Sequence, residues 1–478
     1  MVRQTAWRKI DLKKDQYNLS KEELRRLRRK KEQRTAAGIL LLLLLLAVLV
    51  LGGISFGVYS FLHREPAKEP EVTVEPEPVT EEPEPMVSEN EPEEEVTVSV
   101  SENQPEDEEV TELTDEMKAA ILDETIAGYL ANMTLEQKVA GLFFVTPEGL
   151  TGSNDMTIAG SALSAALSDY PVGGLLLTQS NMESPEQFKE MIFSIKSFTG
   201  NEVFIGVEET GGEDSPFVAS GLSEAVITDQ KTIGESGENA GAYTAGIAIG
   251  NRMNEYGVNT VIGPLADVAY SESGYTSARS FGDDPGMVKD MVRNAVRGIE
   301  DQNIHACVKF FPGYGDVEKS PESARPVSNR TKEDIAEKDY PIYDDAIRGG
   351  ADFIMVSQIA YKPITDDVPA CLSSEVVTDM LRGELEYEGI IMTDYLDTHS
   401  LIMHYKHADA AIMAVQAGAD MLFCPGDFKK AYNGILSAVE KGEITEERID
   451  ESLYRIYRVK YRDLIDYDAV AGLIPAGN

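Results

Sequence analysis

Five residues able to do chemistry lie at or just beyond the ends of short apolar runs. Glu208 closes the run 203–208 and is followed by Glu209. Asp267 lies just beyond the run 260–263, and Lys309 stands near the end of 304–310. Gln358 closes 352–358, and Asp394 closes 389–394. A charged side chain ending an apolar strand costs desolvation unless it is used or paired. Taken singly, each reads equally well as a functional group or as one half of a structural pair, such as Lys309 with a carboxylate. Four or more at the same end of a sheet read as a site. Carboxylates there can move protons or attack carbon. A lysine there also permits a Schiff base with a carbonyl substrate. Borohydride trapping at Lys309 tests that chemistry.

The elements that must position these residues follow from the spacing. Eight apolar runs recur, at 142–145, 174–178, 203–208, 260–263, 304–310, 352–358, 389–394 and 420–424. Amphipathic stretches separate many of them, at 184–197, 286–301, 332–348, 374–386 and 427–441. Short apolar runs bounded by turn residues are buried parallel strands, and strands alternating with helices form βαβ units. Eight such units predict an α/β fold of the (β/α)8 barrel type, whose sites lie at the C-terminal ends of the strands. The first run continues Thr146-Pro147-Glu148-Gly149 and lacks the GxGxxG of a dinucleotide-binding sheet.

From Met133 to Leu464 the chain resembles family 3 glycoside hydrolases, in particular the single-domain β-N-acetylglucosaminidase branch. The resemblance rests on Met133-Thr134-Leu135-Glu136-Gln137-Lys138-Val139, Tyr256-Gly257-Val258-Asn259, Ala266-Asp267-Val268 and Ala278-Arg279-Ser280-Phe281-Gly282. It continues through Lys309-Phe310-Phe311-Pro312-Gly313-Tyr314-Gly315-Asp316, Leu381-Arg382-Gly383-Glu384-Leu385, Ile391-Met392-Thr393-Asp394-Tyr395-Leu396-Asp397 and Ala417-Gly418-Ala419-Asp420-Met421. The resemblance implies a retaining enzyme that removes terminal β-linked N-acetylglucosamine, with cell-wall glycans, peptidoglycan-derived ones included, as carbohydrate substrates. It implies Asp394 as the nucleophile, as retention requires a carboxylate that attacks the anomeric carbon. Glu208 falls on the acid of an Asp-x-Glu-Gly-Gly motif, one methylene longer than the family's residue. Arg279 and Lys309 fall on cationic sugar contacts, and Asp267 on an acid at the floor of the site.

The departures concentrate at the chemistry. Phe310 and Tyr314 replace the two histidines of a Lys-His-Phe-Pro-Gly-His-Gly-Asp pattern, and Gln358 replaces another. The family's acid/base histidine lies in an Asp-Ser-His loop; alignment on the flanking Gly-Asp and Pro puts Ser320 and Glu322 there. Two functions follow from this. Either Glu322 takes over as acid/base, in the manner of other glycosidases, or the groove binds a glycan or a protein without turnover. The chain ends soon after the last barrel helix, expected at 445–463, so no second domain is expected to supply an acid.

Composition divides the rest. The 478 residues carry a formal charge of −40, unevenly spread. Residues 1–35 hold thirteen basic against five acidic residues, and 36–62 carry none. Residues 65–116 hold twenty-one acidic residues and one lysine. About 20 apolar residues span a bilayer, and a run this long after a basic segment reads as a retained signal anchor. Positive residues stay cytoplasmic. The expected order is therefore a basic cytoplasmic segment (1–35), a transmembrane anchor (36–62), a disordered Pro/Glu-rich stalk (63–116) and an extracytoplasmic barrel (117–478). A uniformly spread charge of this size would argue against nucleic-acid partners. The basic block 1–35 also reads as a nucleic-acid or anionic-lipid patch, but a topology determinant suffices, and no nucleic-acid partner is expected. Three cysteines and five histidines form no metal motif, and no metal or organic cofactor is expected.

Overall fold

In a computed structural model the described residues are 113–200, 203–462, 464, 465 and 467. The basic segment, the expected anchor and all but the end of the stalk lie outside them. Among the described residues no helix is long and apolar enough to cross a membrane.

Among the described residues ten strands are present: β1 Phe143–Val145, β2 Gly174–Leu176, β3 Phe204–Val207, β4 Thr260–Val261, β5 His305–Phe311, β6 Val327–Ser328, β7 Phe353–Val356, β8 Ala360–Tyr361, β9 Ile390–Thr393 and β10 Leu422–Phe423. Eight of them form one parallel sheet in the order β10-β1-β2-β3-β4-β5-β7-β9. A bridge between Met392 and Met421 and the hydrogen bond from Thr393 N–H to Met421 O bring its two ends together as a barrel. Each of the eight expected runs contains one of these strands. The sequence reading missed β6 and β8, which pair parallel to each other outside the barrel.

Side chains fill the barrel interior. Phe144 projects inward and packs 5.5 Å from Phe423. Its ring demands glycine on the neighbouring strands: a Cβ on Gly174 would lie 2.3 Å from it, and one on Gly206 2.7 Å. Side-chain volume removed from β2 and β3 is thus supplied by β1, which keeps the interior close-packed.

Local signals set the helices. Pro185–Thr199 starts at a Ser184–Gln187 capping box and stops at Gly200 in the left-handed conformation. Asp284 caps Pro285–Glu300 through Met287 N–H. The stretch expected as one helix over 332–348 is two, Lys332–Lys338 and Tyr340–Arg348. Pro341 has no N–H to continue the first helix but fits the opening turn of the second. The last helix, Glu446–Arg462, packs Leu453 and Ile456 into the core.

Charges at the two ends of the barrel differ in kind. Asp352 and Asp420 stand just before β7 and β10, at the bottom, and both are saturated. Arg462 grips Asp352 with two bonds of 2.8 and 2.9 Å, and His305 adds a third at 2.7 Å. Asp420 accepts from Arg382 at 2.6 Å, Ser452 at 2.9 Å and Arg455 at 3.1 Å. These are structural pairs. At the top, Glu208, Arg279 and Lys309 line a cavity.

Candidate active site

A cavity of about 260 Å³ opens at the C-terminal ends of the strands. Glu208, Arg279, Lys309, Tyr395, Gly211 and Asp214 are among its walls. Lys309 leaves β5 with its side chain only 1% exposed, and its ammonium donates to Glu208 Oε1. Tyr395 donates its hydroxyl to Glu208 Oε2 at 3.3 Å. Enclosure opposes the charge on Glu208, but Lys309, then Arg279 and Tyr395, hold its carboxyl below the usual range. Arg279 sits on the short turn Ser277–Arg279, its guanidinium 5.6 Å from the Tyr275 ring centroid. The cavity thus offers an ionised carboxylate and two cations, a donor and acceptor set suited to sugar hydroxyls.

Alternation along the strand separates Glu208 from Glu209. Glu209 turns inward and is 1% exposed. It accepts from Gly211 N–H at 2.7 Å, Ser215 Oγ at 2.5 Å and Arg252 at 3.4 Å. That buried knot fixes the loop that forms one wall of the cavity.

Asp394 follows β9 directly and is 3% exposed. Each carboxylate oxygen accepts one bond: Oδ1 from Tyr395 N–H at 2.8 Å and Oδ2 from Tyr314 hydroxyl at 2.9 Å. Burial pushes its pKa to about 7. The two hydrogen bonds oppose that rise, the charge of Glu208 adds to it and Lys309 offsets part of it. Asp394 is therefore poised near neutrality beside the Glu208–Lys309 pair.

Asp394 itself is not in the cavity wall, although its neighbour Tyr395 is, and the other expected residues are placed differently again. Asp267 is 1% exposed and is not in the cavity wall; Oδ1 accepts Phe310 N–H at 3.4 Å, and burial raises its pKa to about 6. Gln358 spends its amide on the protein. It donates to Tyr395 O and accepts from Thr398 hydroxyl at 2.5 Å, fastening the loop that carries Asp394. Glu322 is exposed and lies outside the cavity wall. Its Oε2 accepts His399 N–H at 3.5 Å, and its charge helps to raise the pKa of Asp397. Asp397 is not in the cavity wall either.

Three contributors escaped the sequence reading. Tyr395 follows Asp394 directly, and its hydroxyl reaches Glu208. Arg252 lies mid-helix in Asn239–Tyr256, where only its burial marks it out. Asp214 follows the Gly211-Gly212 pair, and its loop had no periodicity to read. Among the described residues one group gathers three metal-type ligands, Glu300, His305 and Asp352. It lies at the bottom of the barrel, where Arg462 already holds Asp352.

The fold and site define a (β/α)8 barrel with a buried carboxylate beside a cavity lined by charged and polar side chains. Residues 134–459 match the family described as Glycosyl hydrolase family 3 N terminal domain. The chain belongs to that family. Among curated proteins it is similar to Beta-hexosaminidase A of Pseudoalteromonas piscicida, 24% identical over 335 residues, covering 64% of this chain and 56% of that protein. It is also similar to Beta-hexosaminidase of Nitrosomonas eutropha, 27% identical over 282 residues, covering 57% and 80%. Among solved structures it is similar to the glycoside hydrolase family 3 beta-N-acetylglucosaminidase from Paenibacillus sp. str. FPU-7. That match is 29% identical with a TM-score of 0.64, covering 70% of this chain and 63% of the other. The chain thus spans less than two thirds of two of these relatives.

Proposed function

We propose that this protein is a retaining β-N-acetylhexosaminidase that removes terminal β-linked N-acetylglucosamine from cell-wall or related glycans. The observation that carries this reading is Asp394: a buried carboxylate at a strand end, each oxygen held by one bond, next to Glu208 and Lys309. Family membership and the names of the relatives support it. In this reading Glu208, Arg279 and Lys309 hold the sugar. Asp394 attacks the anomeric carbon, and the glycosidic oxygen leaves with a proton from Glu322. Water then cleaves the glycosyl-enzyme with Glu322 as base. Glu322 serves only if the 316–326 segment swings from His399 toward the bond being broken.

The exposed position of Glu322, its carboxylate turned to His399 N–H, favours a second reading, a glycan-binding module without turnover. An aryl β-N-acetylglucosaminide assay separates the two. Turnover by the wild type, covalent trapping of a fluorinated sugar on Asp394 and loss of both in Asp394→Asn support the enzyme. Measurable chitooligosaccharide binding with no turnover and no trapping supports the module. Glu322→Gln assigns the acid: substrates with poor leaving groups should slow by about 10²–10⁴-fold, with activated aryl substrates far less affected.

The N-terminal segments complete the proposal. The uncharged run 36–62 behind a basic segment supports a single-pass anchor with the N-terminus inside and the barrel outside. The acidic stalk would hold the barrel away from the bilayer. Protease added to intact cells should cleave the barrel from the membrane fraction; full protection in intact cells would reverse the topology.

A further inference from the structure

Tyr314 fills a position where the family pattern carries a histidine, and the catalytic scheme above gives it no task. Its ring is wholly buried. Phe310 and Tyr275 meet it edge-on, with centroids 5.1 and 5.5 Å away. Its hydroxyl has two partners. It donates to Asp394 Oδ2 at 2.9 Å and accepts Gln358 N–H at 2.9 Å. The backbone donor occupies a lone pair on the phenol oxygen, so the single O–H points at the carboxylate. Gln358 is itself tied down through Tyr395 and Thr398, so this orientation is fixed from both ends.

We propose that Tyr314 is a positioning residue for the nucleophile: its hydroxyl, oriented by Gln358 N–H, keeps Asp394 ionised and aimed. The proposal rests on Asp394 being the nucleophile. A donor on a buried carboxylate favours the charged form. In the first step an oxygen lone pair of Asp394 forms the bond to the anomeric carbon. The C–O bond to the leaving group breaks, and the leaving oxygen keeps that pair and takes a proton from the acid. Tyr314 keeps its own proton throughout. Its hydrogen bond weakens as the carboxylate charge is consumed in the ester and strengthens when water releases Asp394 again. Burial and the Asp394 charge push the phenol well above its ordinary pKa, so it remains a donor at working pH.

Tyr314→Phe keeps the ring and its edge contacts and removes only the hydroxyl. On the full-length protein, two measurements test the proposal. The first is the pH dependence of kcat/KM on an aryl β-N-acetylglucosaminide, whose acidic limb should move up by about one to two pH units in the variant. The second is an infrared titration of the Asp394 carboxyl, isolated by subtracting Asp394→Asn. It should show the same upward move and needs no turnover. A carboxyl that titrates at the wild-type pH in Tyr314→Phe overturns the proposal and leaves Tyr314 as packing. A carboxyl that moves while the limb stays overturns the claim that this hydrogen bond governs the nucleophile. If the wild type does not turn over, the glycosidase reading fails separately, and the infrared titration alone decides whether Tyr314 holds the charge.

Discussion

Asp394 concentrates the conflict between stability and use. Its pKa is raised from its ordinary value to about 7, so the folded state holds the proton more tightly than the unfolded chain. Stability from that proton is present at low pH and is lost as pH rises from about 4 through about 7. In the proposed mechanism activity has the opposite sign, because attack by Asp394 needs the carboxylate, so kcat/KM should fall as pH drops below about 7. Asp394→Asn is expected to cut turnover by about 10³-fold or more. It should also stabilise the protein at pH 8 by roughly 2–4 kcal/mol, because a tenfold change in proton affinity on folding is worth about 1.4 kcal/mol. The gain should vanish near pH 4, which thermal unfolding at the two pH values would check. Asp394, Glu208, Arg279 and Lys309 were legible in the sequence, because a strand end or a motif fixes where they project. Tyr395 and Tyr314 were not legible as partners of Glu208 and Asp394, since those bonds join residues 187 and 80 apart in the chain.

At the scale of elements, the cavity depends on parts that never touch it. The Arg252–Glu209–Ser215 knot joins the helix Asn239–Tyr256 to the loop behind Glu208. Arg252→Ala would leave Glu209 charged and buried without its cation, at a cost of about 3–5 kcal/mol. The expected signature is a lowered urea midpoint together with a raised KM, since the wall proposed to hold the sugar loosens. A variant that lost stability with KM unchanged would show that the knot serves the fold alone. Strand positions and most helices followed from apolar runs, caps and glycine stops. The pairing of β6 with β8 did not, because Val327–Ser328 lies in a polar stretch with no apolar run to mark it. The break at Asp339 was signalled by Pro341, but the apolar periodicity runs on across it and masks the stop.

Across the whole molecule, the opposite ends of the barrel do different work. At the bottom, Asp420 joins the strand that closes the barrel to two helices through Arg382, Arg455 and Ser452. Asp420→Ala strands these cations at the seam, and unfolding should become easier by about 3–5 kcal/mol while the cavity chemistry is untouched. Chemical denaturation alongside kcat would test this, and loss of kcat at full stability would contradict it. The sequence by itself determined the family, the eight strands, the strand-end residues and the segmental charge of the chain, because these are properties of local order and composition. Only the tertiary structure decided that Glu208 pairs with Lys309, that Gln358 fastens a loop and that Tyr314 meets Asp394. It also set Glu322 outside the cavity wall. Each of these depends on which strand ends the closed barrel brings together, and no local stretch of sequence records that.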